Sequence, residues 1–242
     1  VDAFYNKDKD IVNVVERIKG KRVYNDYPAW RTFYVKDPRG DHLSIHGDKV
    51  RQIKCKRLKD LHKERKINSG KAFYESDMKP EVKCLSENYN GIESPTLNTA
   101  FFDIETDFDA SRGFADPSDP FMPITAISVH LQWLELLVTL VIPPKGMREG
   151  EGLIEAQRIC DQFPNTELYL NEGDMLNDFM DVIEDADVLT GWNSEGYDIP
   201  YTVNRITRVL SKSHTRKMCL WDLYPQKRKV MKYGKEQETF DL

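Results

Sequence analysis

The sequence predicts an α/β protein with a mixed sheet, preceded by a smaller α+β unit. After residue 95, short runs of β-branched and aromatic residues alternate with segments of helical periodicity. Before that point, short strand-like segments and one basic helical segment are separated by turns rich in Pro and Gly. The length of 242 residues allows one large domain or two ordinary ones.

Residues 1–95 are predicted to form the smaller unit. The Pro and Gly of residues 37–40 predict the turn of a hairpin, and the polar stretch 79–91 reads as a crossing segment followed by a boundary. Ser94 and Pro95 close the linker. The predicted elements are strands at 31–35, 42–46 and 50–55 and a short basic helix at 56–66.

Residues 96–242 are predicted to form the α/β domain. Three consecutive strands with short links indicate an antiparallel meander, and the added helix–strand–helix pattern indicates a mixed sheet. Residues 145–164 show no regular pattern, and Gly234 predicts the turn of a C-terminal hairpin. The predicted elements are strands at 99–106, 124–131, 136–142, 166–170 and 188–193 and helices around 175–183 and 198–210.

The first of these strands carries two acids. Side chains alternate along a strand, so Asp103 and Glu105 share one face while Phe102 and Ile104 share the other. Adjacent carboxylates on a buried strand repel each other and are costly to desolvate. A divalent metal ion held by oxygen ligands would relieve that repulsion. The alternative is a shorter strand followed by an acidic surface loop over residues 103–109.

Composition and residue patterns limit the classes of function that this chain can have. No apolar run approaches the length of a membrane span, and no secretory signal is recognisable. Four widely spaced cysteines without a Cys-x-x-Cys pair indicate neither a zinc site nor a disulfide framework. The formal net charge of −5 argues weakly against nucleic-acid binding, yet residues 51–71 and 205–235 are strongly basic. Each tract is either a solvated surface or a contact for a phosphate backbone.

A second polar motif, at residues 191–198, lies where a predicted strand ends and a helix begins. Asp198 at the start of that helix is favoured by the helix dipole. Its simplest interpretation is an N-cap. Together with Asp103 and Glu105, however, it provides a third carboxylate for a metal site.

The two motifs resemble those of a known family. Phe102-Asp-Ile-Glu-Thr106 resembles the first exonuclease motif of family B DNA polymerases, and Asn193-Ser-Glu-Gly-Tyr-Asp198 resembles the second. The string from Thr190 to Arg205 is similar to that of the T-even-type bacteriophage replicative polymerases. The resemblance implies an RNase H-like fold. It further implies that 1–95 are the N-terminal domain and that 96–242 are the 3′–5′ proofreading exonuclease domain.

The resemblance also implies roles for particular residues. Such sites hydrolyse the 3′-terminal phosphodiester with two divalent ions, Mg²⁺ or Mn²⁺. Asp103, Glu105 and Asp198 would be the catalytic metal ligands. The residues assigned to substrate binding are Asn193, Thr106, Phe102 and Tyr197, with packing rather than base stacking as the alternative for the two aromatic residues. The residues assigned to a strand-separating hairpin are Lys227, Arg228, Lys229, Tyr233 and Gly234.

The implied partners are a DNA primer–template and a single-stranded 3′ end. A sliding clamp and a single-strand-binding protein would be reached through the full-length polymerase. No membrane partner is implied, and the location would be the cytoplasm of a bacterial host. Two other functions stay open: a stand-alone nuclease of the RNase H-like superfamily and a non-catalytic nucleic-acid-binding module.

The chain departs from the family in one respect. The family's third exonuclease motif, Tyr-x-x-x-Asp, does not follow Asp198 here. Because the chain begins at Val1 without an initiator Met and ends at Leu242 before that motif, we expect a fragment at both ends. We also expect weak or no exonuclease activity from it, because one metal carboxylate is missing.

Overall fold

The computed structural model describes residues 2–232 and 234–242. The chain divides into two compact units, the first ending at Thr96 and the second comprising Leu97–Leu242. Whether they are the N-terminal and exonuclease domains of a polymerase stays a prediction. Within the described residues, none of the helices has both the length and the apolar character needed to cross a bilayer.

The first unit contains two antiparallel sheets. One has the strand order β1-β2-β3 and the other the order β5-β6-β4-β7, and a small apolar core lies on each. The elements are β1 (Asp2–Asn6), β2 (Ile11–Ile18), β3 (Lys21–Pro28), β4 (Arg31–Lys36), β5 (His42–Leu43), β6 (Lys49–Cys55), α1 (Leu58–Ile67), β7 (Phe73–Tyr74) and α2 (Pro80–Asn88).

Two predictions for this unit were wrong. The strand that returns beside β4 is β6, not residues 42–46, because a tight turn between Ser44 and Asp48 folds the short β5 onto β6 instead. The supposed crossing segment contains helix α2. Pro80 occupies the first turn of that helix, where its missing N–H costs nothing, and Cys84 is buried.

The second unit is a mixed sheet with helices. Its sheet has the strand order β11-β10-β9-β8-β12; β8, β9 and β10 form an antiparallel meander, while β12 runs parallel to β8 and β11 parallel to β10. The predicted mixed sheet is confirmed. The elements are β8 (Thr99–Thr106), β9 (Ile124–Leu131), β10 (Leu136–Val141), α3 (Gly150–Cys160), β11 (Thr166–Leu168), α4 (Glu172–Val182), β12 (Val188–Thr190), α5 (Asp198–Val209), β13 (Gln226–Lys232) and β14 (Lys235–Asp241).

Helix α3 was not predicted. Gly150 and Gly152 stand in its first turn, and glycine lowers helix propensity, so residues 145–164 looked irregular. The buried residues Ala156 and Cys160, four positions apart, nevertheless give the helix an apolar face.

The core of this unit forms where α4 packs on β9 and β10 and against α5. Met175, Leu176 and Phe179 of α4 are fully buried, and the Phe179 ring lies 5.6 Å from that of Phe102 on β8. Burying a side chain of this size contributes about 1.5–3 kcal/mol. The amphipathic pattern that predicted α4 is therefore the pattern that attaches it to the sheet.

A buried ion pair links several of these elements. The Arg205 guanidinium on α5 donates from Nε and Nη2 to the two carboxylate oxygens of Glu172, at 2.7 and 2.6 Å, and both side chains are about one-tenth exposed. Arg205 Nη1 also donates to the carbonyl oxygen of Pro120, while Glu172 Oε1 accepts the N–H of Ile124. The pair thus joins α4, α5, the start of β9 and the loop before it.

We expect Arg205→Met to lower the free energy of unfolding by about 3–5 kcal/mol, because it leaves the Glu172 carboxylate buried without its partner. Arg208→Met is the matched control on the same helix. Arg208 pairs with Asp119 at an exposed position, and losing that pair should cost less than about 1 kcal/mol. Urea denaturation followed by circular dichroism measures both; equal losses would contradict the prediction.

Candidate active site

Strand β8 presents the two acids of the first motif on one face. Along the strand, Phe102 and Ile104 are buried whereas Asp103 and Glu105 are exposed, as the alternation predicted. The acids are open to solvent, however, and so they do not bear the desolvation cost that was expected of a buried strand. The reason is that the described helices α4 and α5 contribute to the core on the face that bears Phe102.

The second motif begins where β12 ends. Thr190, the last residue of β12, is in register with Phe101, so beyond Phe101 none of the described strands pairs with that edge of β8. The chain then turns at Gly191, directly against β8. A Cβ atom on Gly191 would lie 2.2 Å from the carbonyl oxygen of Phe102, which only glycine avoids.

The loop from Gly191 to Asp198 is compact. Asn193 has a φ of 56°, in the left-handed region that asparagine tolerates, and its carbonyl oxygen accepts the N–H groups of Gly196 and Tyr197 at 2.8 and 3.1 Å. The carbonyl oxygen of Ser194 accepts the N–H of Ile199. These bonds fix the position at which α5 begins.

Asp198 lies against the uncovered edge of β8. Its side chain is 4% exposed, and its Oδ1 accepts the backbone N–H of Ile104 at 3.2 Å, between Asp103 and Glu105 in the chain. Tyr197 holds the N-cap position of α5, so the simple N-cap interpretation of Asp198 was wrong. Burial raises the pKa of the Asp198 carboxyl, and the negative charges of Asp103 and Glu105 raise it further.

The carboxylates of Asp103, Glu105 and Asp198 are of the oxygen-ligand type that divalent metal ions such as Mg²⁺ prefer. The negative charges of Asp103 and Glu105 act unfavourably on the Asp198 carboxylate, and a cation bound beside it would reverse that effect. Across residues 2–232 and 234–242, no three His, Cys, Asp or Glu side chains converge closely enough to enclose a metal ion. A metal ion bound by Asp103, Glu105 and Asp198 together would require the first two side chains to turn toward the third.

The aromatic residues of the two motifs are packed. Phe102 is 2% exposed and belongs to the core, so its side chain is not available for substrate binding as assigned. Tyr197 stacks on Tyr201 with ring centroids 5.3 Å apart, and the Tyr201 hydroxyl donates to the carbonyl oxygen of Met122. Thr106 ends β8, at an irregularity in its pairing with β9.

The predicted C-terminal hairpin is present as β13 and β14. Lys227, Arg228 and Lys229 lie on β13, and Gly234 has a φ of 75° at the turn. Tyr233 lies outside the described residues.

Two exposed aromatic residues next to the motif residues in the chain were not assigned from the sequence. Trp192, next to Gly191, is 90% exposed, and Phe101 stacks on His130 on the face that carries Asp103. Trp192 lies inside the second motif, and the alternation of β8 already placed Phe101 beside Asp103, so both were recognisable from the sequence.

Comparison with known proteins agrees with the motifs. Residues 45–240 match the family model described as DNA polymerase family B, exonuclease domain. A curated relative, the DNA-directed DNA polymerase of Escherichia phage RB69, is 28% identical over 157 residues. The match covers 57% of this chain and 17% of the relative, so the chain spans a minor part of that protein.

We expect Gly191→Ala to displace the loop from β8 and to lower the free energy of unfolding by about 1–3 kcal/mol, as overpacking does. Gly146→Ala is the control, because a Cβ atom there meets nothing within 4 Å. Thermal denaturation compares the two. A Gly191→Ala variant as stable as the Gly146→Ala variant would show that the close approach to Phe102 is not a real constraint.

We expect Asp198→Asn to raise the free energy of unfolding at pH 7, with no metal added. Because the pKa of Asp198 is raised on folding, the folded state holds this proton more tightly than the unfolded chain does. The free energy of unfolding therefore falls as the pH rises from the unfolded pKa, about 3.9, through the folded pKa. The asparagine keeps the acceptor for Ile104 without the charge, and its advantage should vanish below about pH 3.9. Urea titrations from pH 3 to 8 measure this; a destabilised variant at pH 7 would refute it.

Proposed function

The chain belongs to DNA polymerase family B through the exonuclease domain of that family, and from this premise we propose that its second unit removes nucleotides from the 3′ end of DNA as a proofreading nuclease. The observation that carries the proposal is the position of Asp198. Its carboxylate is buried against the amide of Ile104, so the second motif meets the first at one strand end.

Asp103, Glu105 and Asp198 would hold two Mg²⁺ or Mn²⁺ ions, with Asp103 shared between them. When bound, such ions activate the attacking water and stabilise the leaving 3′ oxygen. Glu105 would bind on the side of the attacking water, and Asp198 would bind the second ion, partly through water. Carboxylates suit this role because both ions prefer hard oxygen ligands.

Other residues of the chain would bind and orient the substrate. Asn193 shapes the loop through its backbone, and Thr106 at the end of β8 would offer its backbone to the terminal nucleotide. Tyr197 stacks on Tyr201 and would keep the start of α5 in place. Phe102 has no part in this proposal, because it is buried.

The remaining assignments extend the same proposal. The sheet of the second unit, an antiparallel meander with the parallel strand β12 beside its first strand, supports an RNase H-like fold. Residues 1–95 would be the polymerase N-terminal domain, and the hairpin would separate the primer from its template. We further propose a phage-type polymerase that acts in the bacterial cytoplasm on a primer–template. Its sliding clamp and single-strand-binding protein would be reached through the full-length enzyme.

We expect Mn²⁺ to bind this chain and Asp103→Ala to weaken binding at least about tenfold. Asp107→Ala is the matched control, since Asp107 follows β8 but lies outside the proposed ligand set. Isothermal titration calorimetry measures the affinities. If both variants lost Mn²⁺ affinity equally, the result would instead support the alternative in which residues 103–109 are an acidic surface loop.

The corresponding activity assay uses Mg²⁺ and single-stranded DNA labelled at its 5′ end. We expect the DNA to be shortened slowly from its 3′ end, because the family's third motif contributes a carboxylate that is not in this sequence. Asp103→Ala should abolish this shortening. Near-normal turnover would show that three carboxylates suffice. Mn²⁺ binding without any DNA binding would argue against a nuclease.

A further inference from the structure

The hairpin of β13 and β14 is anchored at its base to the core of the second unit. Phe240 on β14 is 8% exposed and belongs to the core cluster, and Thr239 beside it is fully buried. Arg228 on β13 is in register with Thr239. The backbone that carries Arg228 is therefore held in a fixed position by the strand opposite.

Arg228 makes contacts in two directions. Its Nε donates to Asp241 Oδ1 on the paired strand at 2.5 Å, and its Nη2 donates to Glu195 Oε1. Glu195 lies in the loop between Gly191 and Asp198, three residues before the buried carboxylate. One guanidinium thus connects the hairpin to the loop of the candidate active site.

The neighbouring basic residues of β13 behave differently. Lys227 pairs with Glu238 and Lys229 pairs with Glu236, and both of these ion pairs lie within the hairpin. Between the hairpin and the start of α5 lies a cavity of about 320 Å³, lined among others by Gly196, Glu236 and Glu238. Phe240 attaches the hairpin to the core, whereas the ion pair of Arg228 reaches Glu195 in the loop before α5.

We propose that Arg228 is a positioning residue that holds the Asp198 loop through Glu195 and so couples the hairpin to the active site. This inference rests on the proposed function for its role in excision. Arg228 would hold Glu195 in place, and the bond between the Ser194 carbonyl oxygen and the Ile199 N–H would pass that constraint to the start of α5 at Asp198.

Hydrogen–deuterium exchange of the whole chain, without metal or DNA, tests the coupling. We expect Arg228→Ala to speed exchange of the amides at residues 193–198 two- to fivefold, the range of an exposed ion pair. Lys229→Ala, which removes an ion pair confined to the hairpin, should leave those amides unchanged. Equal acceleration in both variants would overturn the proposal, since it would show general loosening of the hairpin.

A double-mutant cycle tests whether Arg228 acts on the loop through Glu195. In the Glu195→Gln background, Arg228→Ala should have no further effect on the loop amides, because their link is already broken. An undiminished effect would overturn the role of Glu195.

Mn²⁺ titration of the same variants gives the functional readout, with a two- to fivefold weaker affinity expected for Arg228→Ala. If the unaltered chain fails to bind Mn²⁺, the proposed function fails while the exchange result still decides the coupling.

Discussion

The second unit depends on the buried ion pair between Arg205 and Glu172. Neither charge is stable alone at that depth, so α4 and α5 are required to meet at one place, and the carbonyl of Pro120 and the amide of Ile124 complete the arrangement. The start of α5 is thereby positioned relative to the sheet. The position of Asp198 on the edge of β8 follows from the way the ion pair fixes α5. Hydrophobic burial supplies the stability of the unit, and the ion pair determines how the two helices align.

The three acids divide into two kinds. Asp103 and Glu105 are exposed at the strand end, where water screens their charges, whereas Asp198 is buried and its raised pKa reflects both burial and its two neighbours. The negative charges of Asp103 and Glu105 disfavour the ionised form of Asp198, and the proposed cation would relieve that repulsion. Of the three carboxylates, only that of Asp198 is buried.

The strand alternation of β8, the amphipathic pattern of α4 and the mixed sheet were predictable, because each is expressed in the local order of polar and apolar residues. The burial of Asp198 was not, since it arises from an open edge of β8 that exists only because β12 ends at Thr190. Helices α2 and α3 were missed because polar or glycine-rich first turns concealed short apolar faces. The motifs predicted which residues belong to the site, whereas their exposure and packing depended on contacts distant in sequence.

The exposure of Trp192 has a spectroscopic consequence. An indole ring that is 90% exposed emits as it would in water and is open to collisional quenchers, whereas the other three tryptophans are partly shielded. With those three replaced by phenylalanine, the emission maximum would report on the loop that carries Asn193 and precedes Asp198. The chain thus contains its own fluorescent probe of the loop, and a ligand that changes the surroundings of this indole would be detected in real time without an added label.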